Sequence, residues 1–210
     1  AHLANVGIET TMLDIVPEEL LQEQDKIVRD RLALTSKQLL KKQKPSPITS
    51  NKALKLIDVG NLEDDLEKLS EVDWIIEVVV ENLEVKKKIH ALIDKHRRPG
   101  SIVSSNTSGI SIHKMAEDCS KDFRNHFLGT HFFNPPRYLK LLEVIPTKWT
   151  KIEVLNGMKQ FGENKLGKGV VEAKDTPNFI ANRIGTYGLL STVKERLSKG
   201  FSIGEVDSIT

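Results

Sequence analysis

Cysteine is nearly missing from this chain: Cys119 is the single one in 210 residues. It has no partner for an internal disulfide, so the chain reads as cytosolic rather than secreted, and its chemistry is not built on thiols. Net charge is also small, with 31 basic against 29 acidic residues, giving +2. No global basic field points to nucleic acid. Aromatic residues make up only 5%, too few to interleave a base-stacking surface. No apolar run approaches about 18 residues, so no spanning helix is expected. The opening residues Ala1-His2-Leu3-Ala4-Asn5 lack the basic start and apolar stretch of a signal peptide. What is present is enough for a core: hydrophobic residues reach 39%, which excludes general disorder.

The order of elements is informative. Ala1, Leu3 and Ala4 read as the end of a helix stopped by Gly7. Ile8 to Leu13 reads as a strand ending in Asp14. Pro17-Glu18-Glu19 suits a helix start, and that helix is expected to run past Leu32 to a break at Thr35-Ser36. Further strands are predicted at Leu54–Val59, Asp73–Val80, Ile102–Ser105, Phe127–Phe133, Leu141–Ile145 and Val170–Val171. Helices are predicted at Asn61–Leu69, Asn82–His96, Ser111–Met115 and Lys151–Leu166. The nearly continuous apolar run Asp73–Val80 is how a strand covered on both faces reads. Alternation of strand and helix predicts an α/β class with a doubly wound, mostly parallel sheet of Rossmann-like type.

The pattern changes at Thr176. Pro177 opens a long helix with Ile180, Ile184, Tyr187, Leu190, Val193 and Leu197 at helical spacing. Gly200 caps it, and Ser202-x-x-Glu205 is a capping-box signature for another. Two domains are therefore expected: a nucleotide-binding domain over 1–175, and the beginning of a helical C-terminal domain over 176–210.

Asp14 sits where a second strand of a dinucleotide-binding fold carries its ribose-binding carboxylate. Such a group accepts the ribose hydroxyls of NAD and repels the 2′-phosphate of NADP. No arginine follows in Ile15-Val16-Pro17. The other reading is a plain helix-leading aspartate ahead of Pro17. The usual partner is G-x-G-x-x-G about 20 residues upstream, and only 13 residues precede Asp14. The first strand and its glycine loop are thus expected to lie before Ala1, and these 210 residues alone to hold a pyrophosphate poorly and lack activity.

Four segments carry a family likeness: Ser105-Asn106-Thr107-Ser108, His131-Phe132-Phe133-Asn134-Pro135, Leu142-Glu143-Val144-Ile145, and Asp175-Thr176-Pro177 leading to Phe179-Ile180 and Asn182-Arg183. Val79-Val80-Glu81-Asn82-Leu83 adds a fifth. In this order and spacing the chain resembles the 3-hydroxyacyl-CoA dehydrogenases of fatty acid β-oxidation. Pro135-Pro136-Arg137-Tyr138 resembles bacterial multifunctional versions, in which an enoyl-CoA hydratase part is fused.

The resemblance implies an NAD-dependent oxidation of L-3-hydroxyacyl-CoA to 3-ketoacyl-CoA in the cytoplasm. It implies His131 as general base, a role that suits a group titrating near neutrality. It implies Glu143 as the carboxylate that holds the imidazole. Ser108 matches the active-site serine that contacts substrate, and Asn182 the substrate-binding asparagine. Glu81, Lys86 and Asn106 join Asp14 as cofactor contacts; no metal is implied. A homodimer through the helical domain is implied for the full-length protein.

Residue by residue, plainer readings stay open. His131 alone reads as a satisfied histidine at a strand end, and Ser108 as a turn residue. Asn182 reads as an exposed helix position, Glu81 as a helix-start acid and Lys86 as a solvated lysine. Glu143 is harder to set aside, because a carboxylate in an apolar strand needs a partner. Lys37, Lys41, Lys42 and Lys44 form a basic stretch. By resemblance it lies where the CoA phosphates bind; otherwise it is a solvated face. Two other functions stand beside the main one: a non-catalytic protein that keeps the fold, and a different nicotinamide-dependent hydroxy-acid dehydrogenase.

Overall fold

The computed structural model describes residues 1–209. In chain order the elements are α1 (His2–Asn5), β1 (Thr10–Asp14), α2 (Lys26–Arg29), α3 (Arg31–Leu39), α4 (Asn51–Lys55), β2 (Ile57–Asn61), β3 (Trp74–Glu77) and α5 (Leu83–His96). There follow β4 (Ile102–Ser105), α6 (Ile112–Ala116), α7 (Lys121–Asn125), β5 (Phe127–Phe132), β6 (Leu141–Pro146), α8 (Ile152–Asn164), β7 (Gly169–Glu172), α9 (Ala181–Lys199) and α10 (Ile203–Asp207). The strands form two sheets: β1 with β2, and a five-stranded sheet in the order β3-β4-β5-β6-β7. All neighbours run parallel except β5 and β6. The expected mostly parallel α/β class is thus what the chain adopts.

Parallel strands need both faces covered, and the apolar clusters do this. Val103, Phe127, Ile145 and Phe123 pack with Ile93 of α5 and Ile112 and Met115 of α6 on one face. Leu128, Leu142 and Val144 pack with Val154, Leu155 and Met158 of α8 on the other. The fit is close at Gly129, where an added Cβ would lie 2.8 Å from Ile112 Cδ1.

Several local expectations are corrected. The helix opening at Pro17 is only a 3-10 turn over Glu18–Leu20. Helix resumes at Lys26, where the Asp25 side chain accepts from Ile27 N. The guanidinium of Arg29 donates to the Leu21 carbonyl and to Asp64, so tertiary bonds shape that stretch. No break occurs at Thr35-Ser36, because α3 runs through both. Residues Asn51–Lys55, partly read as strand, are helix capped by Ser50, and β2 starts only at Ile57. Asn61 does not open a helix. It ends β2, and its Oδ1 accepts from Glu63 N and Asp64 N to make a turn. β3 stops at Glu77 rather than Val80, and Val78 and Val80 are exposed. The short α7, capped by Ser120, was unforeseen.

The long helix begins at Ala181, four residues after Pro177, because Asn178 and Phe179 adopt left-handed backbone (φ +62° and +47°). Gly200 closes it at φ +72°, where a side chain would be strained. The predicted capping box at Ser202 and Glu205 is present. No helix of the described residues is long and apolar enough to cross a membrane.

Candidate active site

The parallel strands β3, β4 and β5 end on one edge of the sheet, the edge where open α/β sheets take their ligands. His131 is the penultimate residue of β5. In the antiparallel register it stands opposite Glu143 of β6. This is why a twelve-residue separation closes to a 2.7 Å contact between His131 Nδ1 and Glu143 Oε2. Both side chains are buried. A carboxylate only accepts, so Nδ1 is the donor to Glu143, which in a neutral imidazole leaves the lone pair on Nε2. The second oxygen of Glu143, Oε1, accepts from Ile180 N and Ala181 N at 3.0 and 2.8 Å. These are orphan donors at the positive end of α9. The buried carboxylate therefore has partners on both oxygens, as burial demands.

Asn106 follows β4, and its Oδ1 accepts from Phe132 N at 2.8 Å. It ties the loop after β4 to the end of the histidine strand. Ser108 is exposed on that loop, and its backbone N–H donates to Glu81 Oε1 at 2.6 Å. Thr107 Oγ1 donates to the same carboxylate. Asn182 is the second residue of α9, directly after the Ala181 N–H that binds Glu143. Asp14 ends β1, with Oδ1 accepting from Ile15 N.

Lys86 is not solvated. Its side chain is 1% exposed, and Nζ donates to Glu77 Oε1 at 2.9 Å and to the Val79 carbonyl. It also lies 3.3 Å from Glu81 Oε2. Glu77 was missed by sequence reasoning. At the end of β3 it accepts from Val79 N, Lys86 Nζ and Ser105 Oγ. His90 Nε2 is 3.4 Å from its Oε2. Burial works to raise its pKa, but the nearby His90 ring and the bonds from Lys86 and Ser105 outweigh that and hold it at about 2. Two signals pointed to it: an acid inside an apolar run needs a partner, and Lys86 and His90 lie four apart on one helix face.

Lys37 is half-buried, and Nζ donates to the Ile57 carbonyl. Lys41, Lys42 and Lys44 are exposed. Lys37, Lys41 and Lys42 line a groove of about 430 Å³ with Leu34, Gln38 and Leu54. Among the described residues no cluster of three or more His, Cys, Asp or Glu could hold a metal.

The fold and this edge define a Rossmann-type nucleotide-binding domain. The family follows from comparison with known proteins. The model for the 3-hydroxyacyl-CoA dehydrogenase NAD-binding domain matches residues 1–176, and the chain belongs to that family. It is 65% identical over its whole length to a probable 3-hydroxyacyl-CoA dehydrogenase of Bacillus subtilis, covering 28% of that relative. It is 45% identical over its whole length to a probable 3-hydroxyacyl-CoA dehydrogenase of Deinococcus radiodurans, covering 59% of it. The chain thus spans between about a quarter and three fifths of these relatives. The crystal structure of FadB2 from M. tuberculosis superposes with a TM-score of 0.76 at 29% identity, over 97% of this chain and 68% of that one.

NAD is the dinucleotide of this family's domain. The residue types present at this edge are compatible with such a group. Asp14 offers a carboxylate at the end of β1, and Ile15, Val78 and Val80 hold apolar side chains 57–69% in solvent just past β1 and β3. Apolar groups left open at a strand edge are surface for a flat ligand. The 13 residues before Asp14 contain one glycine, Gly7, and so supply no three-glycine phosphate cradle.

Proposed function

We propose that this chain carries the NAD-binding part of an L-3-hydroxyacyl-CoA dehydrogenase of fatty acid β-oxidation. One observation carries the reading: a buried His131–Glu143 pair at 2.7 Å on the ligand edge of the sheet. Held at this edge beside Asp14 and the loop of Glu81 and Asn106, NAD would supply the acceptor for the hydride leaving C3 of the substrate. His131 Nε2 takes the hydroxyl proton, and Glu143 stabilises the imidazolium through Nδ1. Ser108 and Asn182 are short hydrogen-bonding groups suited to the substrate's oxygens. Glu81 and Lys86 serve the cofactor side through the loop they hold, Asn106 through its tie to Phe132, and Asp14 through the ribose.

Residues 176–210 begin a helical domain in this reading. Its support is the exposure of Ile184, Tyr187, Leu190 and Leu197 on α9, apolar surface that needs further chain or a second copy to cover it. A homodimer through that domain belongs to the same proposal. So does a fused hydratase part, which is supported by 36% identity to a putative fatty acid oxidation complex trifunctional enzyme of Rickettsia felis. A cytoplasmic location fits both.

The test uses the full-length protein and follows NADH oxidation with acetoacetyl-CoA. His131→Ala is expected to lower kcat at least about 100-fold. A wild-type kcat in that variant overturns the mechanism. Glu143→Gln is expected to lower kcat more than it changes NADH affinity.

A further inference from the structure

The turn between β7 and α9 has an unusual backbone. Asn178 and Phe179 are consecutive non-glycine residues at φ +62° and +47°. Such backbone persists only where its surroundings fix it, and it clusters where geometry is used. Its surroundings here are firm. Upstream, Asp175 accepts from Ser111 Oγ, Ile112 N and His113 N at the start of α6. Beside it, a Cβ on Gly109 would fall 2.9 Å from Asn178 Oδ1, so the glycine leaves room for that side chain. The Phe179 ring is buried in the apolar cluster with Ile112 and Phe127.

The left-handed pair does two things at once. It turns the Phe179 ring onto His131, with centroids 5.7 Å apart, while Phe133 meets the imidazole from 4.5 Å. It also aims Ile180 N and Ala181 N at Glu143 Oε1. We propose that Phe179 is a positioning residue for the His131–Glu143 pair, holding the imidazole so that Nδ1 keeps its proton toward Glu143 and Nε2 stays bare. The role rests on the reading of His131 as the base. Phe179 touches neither substrate nor cofactor in it. A right-handed path through 178–179 would swing both the ring and the two N–H groups away from the pair.

The readout is the 15N chemical shifts of the His131 ring in this chain, which report the protonated nitrogen without any turnover. In the wild type they are expected to show the Nδ1–H form. In Phe179→Ala the ratio of Nδ1–H to Nε2–H is expected to fall about two- to tenfold, the range one aromatic contact supports. Phe179→Leu keeps bulk in the apolar cluster, so it is expected to hold the melting temperature closer to wild type while still lowering the ratio. It also serves as the variant read if Phe179→Ala does not fold. A ratio unchanged in the folded variant overturns the positioning role alone. A neutral imidazole with its one proton on Nε2 in the wild type overturns both this role and the assignment of His131 as base.

Discussion

Glu77 decides more of this molecule's stability than its single charge suggests. Its carboxylate is buried and neutralised by Lys86, itself 1% exposed. Removing Glu77 leaves the dry Lys86 ammonium with only the half-exposed Glu81, 3.3 Å away, as counter-charge, so the loss approaches but does not exceed the roughly 3–5 kcal/mol of a fully broken buried pair. Glu77→Gln is therefore expected to lower the urea-derived stability by about that much, and Glu77→Gln/Lys86→Met to recover most of it. A Glu77→Gln loss near zero would mean that the ions are solvated, and no recovery in the double variant would mean that the lone buried charge is not what costs stability. The pH dependence has a defined sign. The carboxyl is held at about 2 in the fold against an ordinary 4.5, so its stabilisation is complete above about pH 4.5. It is lost as pH falls toward 2. Glu77→Gln should flatten the acid limb of stability between those values. Cys119 behaves in the opposite way. Burial, with Asp94 and Asp118 nearby, pushes its thiol up to about 12. Almost none is thiolate at pH 8, so iodoacetamide is expected to label it far more slowly in the folded chain than in urea. Equal rates would contradict the burial.

At the scale of elements, α5 is the clearest success of local signals. Asn82 was legible as its start, and the Oδ1 of Asn82 accepts from Val85 N at 3.1 Å. Asn82→Ala is expected to cost about 1 kcal/mol in chemical denaturation; a change near zero would mean that Lys86 and packing alone hold the first turn. The region before β2 was the least legible, for a physical reason. Its bends answer to partners distant in sequence: Arg29 to Asp64, Lys26 to Asp65, and Asn61 to Asp30. Periodicity senses neighbours within a turn or two and is blind to these. The same limit hid Glu77 inside Asp73–Val80, where an apolar run masks the point at which the strand ends. For the site, strands carrying His131 and Glu143 could be read, but their antiparallel pairing could not. That pairing is what sets the two side chains opposite each other. The left-handed turn at Asn178-Phe179 gave no signal either, because Pro177 followed by a helical period reads as a simple helix start.

On the scale of the whole chain, the two sheets share no backbone ladder. Besides apolar contacts such as Leu13 against the main cluster, side-chain bonds to carbonyls join the β1–β2 unit to the five-stranded sheet. Arg137 donates to the carbonyls of Ser46 and Ile48 at 2.6 and 3.2 Å, and the Tyr138 hydroxyl to Ser46 at 2.9 Å. His2 Nε2 adds a 3.1 Å contact with the Leu166 carbonyl. The Arg137 loop directly follows the histidine strand. Lys168, with burial lowering its pKa, fixes that loop from beneath by donating to the Pro136 and Leu139 carbonyls. One strut therefore connects the loop beyond His131 with the segment beyond the Lys37–Lys44 stretch. Each such bond contributes about 1 kcal/mol, small against global stability but large against local opening. Arg137→Ala is thus expected to speed amide exchange across residues 44–61 several-fold while β4, β5 and β6 keep their protection. Exchange that rises equally in all strands would mean that the chain opens as one unit. Exchange unchanged at 44–61 would mean that apolar contacts such as Leu13 against the main cluster carry the junction without Arg137.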